Sequence, residues 1–235
     1  MTNISNLVQN HRLTENAGAF IVLICLFISL TFATEQPTGP LHTNHISMMV
    51  GLNPNAFVEL GYARAFDSVF FQHSISTGLY FSTSLIRPCF EDWDASFRAE
   101  MDAFTWRTLA VETTPRTIVG YISTRNYNSN RIAIGDELLI GYRGKVLSIG
   151  ALADFEHNIL NYIKNSVFYR TTYYEDAKDG WYLGAAGRWQ FGLRIAAAIT
   201  RRALFDLDVR LPYSSSFDGY GGSPVHANFR IRYMY

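Results

Sequence analysis

Apolar and polar residues alternate along much of the chain, and in the final eleven residues the alternation is unbroken as far as Tyr235. The final eleven residues show it most clearly, with six members on one face: Val225, Ala227, Phe229, Ile231, Tyr233 and Tyr235. A period of two is that of a β-strand with one apolar and one polar face. A helix would scatter the same residues around its circumference. The alternation therefore predicts an all-β protein built from antiparallel strands.

Ten segments are predicted to be strands, most of them by this alternation and the segment 166–175 by its many tyrosines: residues 56–66, 70–86, 95–107, 117–127, 131–143, 146–156, 166–175, 181–200, 204–213 and 225–235. Asn128-Ser129-Asn130 is predicted to close a hairpin, and residues 157–165 are predicted to form a loop or one helical turn. Eight strands are possible if segments merge, and twelve is the next even count if a short strand at 46–52 also pairs. Even counts are typical of up-and-down barrels that span a bacterial outer membrane.

The segment from Ala19 to Ala33 is apolar but only 15 residues long. A membrane helix needs about 18 residues or more, so the length favours the apolar core of a signal peptide, with an uncleaved anchor as the alternative. Thr31-Phe32-Ala33 is a suitable cleavage site. We therefore predict a signal peptide at 1–33, a polar lead-in at 34–55 that includes the short strand, and a barrel at 56–235.

Composition narrows the class of protein further. The chain is 15% aromatic and 17% charged, and its mean hydropathy is +0.01. Soluble domains are about one quarter charged, while alternating lipid-facing and lumen-facing residues give an intermediate hydropathy. The net charge of zero does not favour nucleic acid as a partner. Cys25 lies in the apolar stretch and Cys89 is alone in the rest of the chain, so no metal site and no cofactor are predicted.

Charged residues concentrate on the polar face of the predicted strands. An Arg or Lys on the lipid face at the membrane midplane costs about 2–4 kcal/mol, so these side chains are predicted to point into the lumen. A small barrel has little space beyond its own side chains, and acids and arginines held that close should pair. The predicted lumen charge network is Glu59, Arg98, Glu100, Asp102, Glu137, Arg143, Asp154, Glu156, Arg188, Asp206, Asp208, Arg210, Arg230 and Arg232. The alternative is a narrow or gated ion path lined by the same residues.

Evidence for catalysis is weak in the sequence. The best cluster is Asp154-Phe155-Glu156-His157, but its spacing provides no nucleophile. We therefore predict no catalytic residues and no enzymatic activity. Two other functions remain open: a membrane barrel enzyme that acts on lipid or protein, and a soluble lipocalin-like barrel, which would be apolar inside and polar outside.

The signal-like start, the alternating strands and the ending Phe229-Arg230-Ile231-Arg232-Tyr233-Met234-Tyr235 resemble the small outer-membrane β-barrel proteins of the OmpA/OmpX type. This resemblance implies an outer-membrane location, contact with lipid and with periplasmic chaperones, and folding by the barrel-assembly machinery. It also implies that Phe229, Ile231, Tyr233 and Tyr235 form the signal for that machinery. Barrels of this type have many activities. The function we expect is structural or that of a narrow passive channel.

Overall fold

The computed structural model describes residues 44–53, 55–67, 74–85, 91–184, 187–214 and 225–235. The predicted signal peptide, Cys25 and Cys89 lie outside these ranges. Almost all of the described chain is antiparallel strand, so the predicted all-β class is confirmed. No helix within the described ranges is long and apolar enough to cross a membrane.

The described ranges form eleven strands and one short helix. The strands are β1 (His45–Asn53), β2 (Asn55–Asp67), β3 (Ser74–Ser84), β4 (Asp92–Trp106), β5 (Leu109–Ser123), β6 (Tyr127–Arg143), β7 (Leu147–Asn165), β8 (Gly180–Leu183), β9 (Gly187–Thr200), β10 (Ala203–Ser214) and β11 (His226–Met234). The helix α1 (Val167–Thr172) lies between β7 and β8.

Ten of these strands close into an up-and-down barrel, as predicted. Sequence neighbours pair antiparallel, β9 pairs with β7, and β11 pairs with β1 to close the wall. The short strand β8 pairs with the last part of β7, beyond the residues that pair with β9. A path that starts at Ile149 on β7 and steps from each residue to its register partner on the next strand goes once around the barrel. It returns to β7 at Tyr162 and not at Ile149. Because the register advances in this way, the strands are strongly tilted to the barrel axis.

The barrel begins earlier than the boundary at residue 56 implied. β1 pairs on both sides, with β2 and with β11, so the short strand foreseen at 46–52 is part of the wall. The total stays at ten because the strand predicted at 166–175 is wrong. The Ser166 side chain accepts a hydrogen bond from the Tyr169 N–H at 3.1 Å and caps α1 there. The Tyr169 ring then packs against Tyr173 and Tyr174.

The loop predicted at 157–165 is also wrong, because β7 runs through it to Asn165. The register shifts by one residue opposite Ile132 and Ala133, which leaves Ile159 as a bulge. A bulge adds one residue to one strand, so the apolar and polar faces exchange positions beyond it. For this reason the alternation changes phase in the sequence at 157–165, although the strand continues.

Two turn predictions need correction. Asn128, Ser129 and Asn130 lie within β6, and the turn before it is at 124–126. There the Thr124 hydroxyl accepts hydrogen bonds from the backbone N–H groups of Asn126 and Tyr127, which shortens the loop. The single strand predicted at 181–200 is divided into β8 and β9. Gly184 lies between them with φ +66°, a conformation that favours glycine.

The wall is polar inside and apolar outside. Leu60, Leu79 and Leu193 on the outer face are 58%, 67% and 58% exposed. The inner face carries small residues and buried charged residues, among them Ala63, Ser76 and the ion pairs described below.

The two ends of the barrel differ. The rim at residues 44 and 235, here called the terminal rim, has short connections at 107–108, 144–146 and 201–202. The opposite rim, here called the loop rim, carries α1 and β8. Exposed aromatic residues lie near the strand ends at both rims, with Trp106, Tyr142, Tyr233 and Tyr235 at the terminal rim and Tyr127 and Trp181 at the loop rim.

Candidate functional site in the barrel lumen

The charged residues singled out from the sequence all lie on the inner face of the barrel and are buried or half-buried. Barrel closure brings together residues that are far apart in the chain; Arg210 and Glu137, for example, are 73 residues apart. The pairs that form depend on this closure, so the sequence indicated the face but not the partners.

The centre of the lumen is held by two buried arginines. Arg210 forms ion pairs with Glu137 at 2.9 Å, Asp154 at 2.9 Å and Asp208 at 2.6 Å. Arg194 pairs with Glu137 at 2.8 Å and with Asp208 at 2.6 Å. We call Glu137, Asp154, Arg194, Asp208 and Arg210 the central ion-pair cluster. It connects β6, β7, β9 and β10, which are four neighbouring strands of the wall.

The same network continues toward the loop rim through Arg116, which pairs with Asp154 at 2.6 Å and with Glu156 at 3.6 Å. Glu156 also pairs with Arg131 at 2.6 Å and with Arg188 at 3.4 Å. Asp94 completes the network by its ion pair with Arg131 at 2.7 Å. With the central ion-pair cluster, this network contains five arginines and five carboxylates, so its formal charge is zero.

Smaller ion-paired groups occupy other levels of the lumen. Arg98 pairs with both carboxylate oxygens of Glu59 and lies over the Tyr80 ring at 4.2 Å. Near the terminal rim, Arg143 pairs with Asp102 at 2.5 Å and Glu112 at 2.6 Å. These bidentate and shared pairs satisfy guanidinium donors that would otherwise be buried without acceptors.

Arg232 pairs with Asp206 at 2.9 Å and lies 3.7 Å from Glu100. The Tyr80 hydroxyl donates to Glu100 at 2.9 Å. Arg230 differs from the other buried arginines of the described chain because it has no carboxylate partner among the described residues. It is only 8% exposed, and its contact is with the Met49 sulfur at 3.5 Å, with no carboxylate of the described residues within 4.0 Å.

Five charged residues of the lumen were missed in the sequence: Asp94, Glu112, Arg116, Arg131 and Arg194. Arg131 and Arg194 obey the alternation and could have been found by extending it. The others lay outside the predicted strands. Those strands were predicted to begin at residues 95 and 117, whereas β4 begins at Asp92 and β5 begins at Leu109.

Little open space remains between these side chains. A cavity of about 130 Å³ lies beside Arg98, Arg116 and Arg210, and two others of about 30 and 40 Å³ lie nearer the terminal rim. A bound water needs about 10–15 Å³ measured in this way, so each cavity has space for water.

The acidic cluster at 154–157 is divided between the two faces of β7. Asp154 and Glu156 point inward and pair with arginines. The His157 ring stacks with Phe155 on the outer face, with ring centroids 6.2 Å apart. These side chains therefore do not converge on a shared site. Within the described ranges, no group of three His, Cys, Asp or Glu residues is placed to hold a metal ion.

The residues of the predicted assembly signal share one face of the last strand. Phe229, Ile231, Tyr233 and Tyr235 point outward and are 38–54% exposed. The backbone N–H of Tyr235 donates to the Asn44 carbonyl at 3.1 Å, beside the β1–β11 seam.

No protein-family model matches the chain, and no curated protein matches its sequence. The functional argument therefore depends on the polarity of the barrel wall and on the geometry of its lumen.

Proposed function

We propose that the protein is an integral outer-membrane β-barrel whose lumen is closed by ion pairs and whose role is structural. The observation that supports this most directly is the polarity of the wall. Leu60, Leu79 and Leu193 are more than half exposed, while Arg194 and Arg210 are buried. In water this would leave a large apolar surface uncovered, whereas lipid covers such a surface at no cost. A soluble ligand-binding barrel has the opposite polarity.

The two rims support the same proposal. Aromatic residues enriched at both edges of an apolar band are typical of membrane interfaces. Short turns on one side are typical of the periplasmic rim of such barrels. We therefore assign the terminal rim to the periplasm and the loop rim to the cell exterior. In this orientation β11 carries the signal for the assembly machinery, as the resemblance to OmpA/OmpX-type proteins implies.

The structural role follows from how the lumen is filled. The central ion-pair cluster joins four neighbouring strands of the wall and its buried side chains occupy the lumen beside them, so its members would have to separate to admit a solute. Breaking a buried ion pair by removing one partner costs about 3–5 kcal/mol. The wall is thus braced from inside, and the ion pairs oppose the passage of solutes.

A narrow passive channel is the second candidate, and the separate water-sized cavities favour it. In this case the ion pairs would rearrange to connect the cavities. Single-channel recording in planar bilayers separates the two functions. A closed structural barrel gives no steps above the baseline, whereas a channel gives steps that scale with salt concentration.

The membrane proposal itself is tested by expressing the full chain in a Gram-negative host and separating the outer membrane. The sample is then run on a detergent gel with and without boiling. We expect an outer-membrane protein whose mobility changes on boiling, because an intact barrel resists the detergent until heated. A soluble periplasmic product with a single mobility would refute the proposal.

A further inference from the structure

One carboxylate lies on the wrong face of the barrel for a lipid-covered wall. Asp136 is at the middle of β6, and its side chain points outward and is exposed. Ile134 and Leu138, its neighbours on the same face, are 45% and 37% exposed, and Ile132 and Ile140 continue the apolar row in both directions. Asp136 is thus surrounded along its strand by residues that suit hydrocarbon.

The neighbouring strand adds more polar and small residues at this position. The Thr113 hydroxyl donates to the two oxygens of Asp136 at 2.8 and 3.0 Å. Pro115 is the register partner of Asp136, and Thr117 is the partner of Ile134. Thr117 is exposed on the same face. We call Thr113, Pro115, Thr117 and Asp136 the β5–β6 patch.

The backbone ladder is interrupted on one side of this patch. The pairing of β4 with β5 passes from Arg98–Arg116 to Met101–Thr113 and so skips Pro115. Proline has no N–H to donate and is rare inside a sheet. A carboxylate and a weakened ladder facing hydrocarbon are both unfavourable, since polar groups in lipid need partners. One hydroxyl from Thr113 leaves acceptor capacity on Asp136 unused.

We propose that the β5–β6 patch is the contact surface for a second copy of this chain in the membrane plane. This proposal rests on the proposed membrane location. The patch is self-complementary, because the hydroxyl of Thr117 on β5 is diagonal to the carboxylate of Asp136 on β6, in the next register pair on the same face. A two-fold axis parallel to the barrel axis and between these strands places Asp136 of each copy opposite Thr117 of the other.

Two further features fit this geometry. A closed barrel has no free strand edge in its wall, so two copies associate face to face. Small side chains at such faces allow close approach, and hydrogen bonds between them are favoured because lipid supplies no donors. The dimer gives each carboxylate a second donor and covers the interrupted ladder with protein.

The test measures self-association of the purified full chain in lipid vesicles by energy transfer between donor-labelled and acceptor-labelled copies over a range of protein-to-lipid ratios. We expect a dimer for the wild type. Asp136→Leu and Thr117→Val should each raise its dissociation constant about tenfold, because each removes two symmetric hydrogen bonds. The double variant should be no weaker than the single variants. Thr77→Val, an outward hydroxyl away from the patch, should have no effect.

Boiled and unboiled samples of every variant on detergent gels verify that the barrel is folded. A membrane-inserted barrel that stays monomeric at all ratios would overturn the dimer and leave the membrane proposal standing. The dimer would also be overturned if Asp136→Leu raised the resistance of the barrel to denaturant without changing self-association, since lipid would then cover the patch. A complex formed only in native membranes would indicate a different partner and would also overturn the dimer. A soluble chain would refute both proposals.

Discussion

Replacement of Arg210 by Met tests whether the ion pairs of the lumen hold the barrel together. Methionine keeps much of the side-chain length but removes the guanidinium that contacts Glu137, Asp154 and Asp208. Two of these acids keep Arg194 and the third keeps Arg116. The connected network therefore changes from neutral to one uncompensated negative charge.

The magnitude follows from this remaining charge. Removing one partner of a buried pair costs about 3–5 kcal/mol, and we expect the lower end, about 3 kcal/mol, because each acid retains an arginine. Adding Asp208→Asn to the Arg210→Met variant restores neutrality, and we expect it to recover about half of the loss. This recovery is a coupling energy between neighbouring residues, of the kind that double-mutant cycles detect.

The assay is equilibrium unfolding by guanidinium chloride in lipid vesicles, followed by tryptophan fluorescence. Arg230→Met is the matched control, because Arg230 is buried to a similar degree but contacts Met49 instead of a carboxylate. We expect the control to change the free energy of unfolding by less than about 1 kcal/mol, or to increase it. Equal losses for Arg210→Met and Arg230→Met would show that packing, and not ion pairing, determines the stability of the lumen.

Three further predictions concern other parts of the molecule. Gly192→Ala should lower the yield of folded barrel, judged by gel mobility without boiling, because a Cβ there would lie 2.0 Å from the Val209 carbonyl oxygen. On the loop rim, the hydrogen bond from Arg170 lowers the pKa of Asp179 below its usual 3.8. An NMR titration should therefore show their contact intact at neutral pH and lost as the pH falls through that lowered pKa. This pH dependence should be absent in Asp179→Asn, whose amide oxygen still accepts a hydrogen bond but does not titrate. Deleting Tyr235 should slow insertion into the outer membrane, measured by pulse-chase, while barrel that does fold should unfold at an unchanged denaturant concentration.

The alternation of apolar and polar residues predicted the closed barrel because it reports the face of each side chain. It reports strand ends poorly, because a strand can continue past a bulge such as Ile159, where the alternation changes phase. Side-chain capping by Ser166 similarly outweighed the aromatic composition that favoured a strand. Both effects depend on one residue, which is why a pattern read over ten residues did not reveal them.

The lumen network was predicted in kind but not in its pairings. Charge on the inner face follows from the alternation, whereas the partners depend on which strands are adjacent after closure and tilt. Arg116 shows the limit of the sequence, because it follows Pro115 in the stretch 108–116, which lies between two predicted strands and was assigned to neither. The structure accepts that proline inside β5, where the ladder to β4 is interrupted. The outward position of Asp136 likewise became clear only once its strand and register were known.

Residues 44 and 235 are adjacent at the terminal rim, so the order of the strands along the chain can be changed without changing their order in the wall. A short peptide joining these residues, with new ends opened at 107–108, would give a circular permutant with all ten barrel strands and their pairings in principle retained. Its last strand would be β4, which ends at Trp106, and β11 would become internal. Such a permutant asks whether assembly depends on the sequence of β11 or on its being the last strand made, a distinction that substitutions within β11 do not provide.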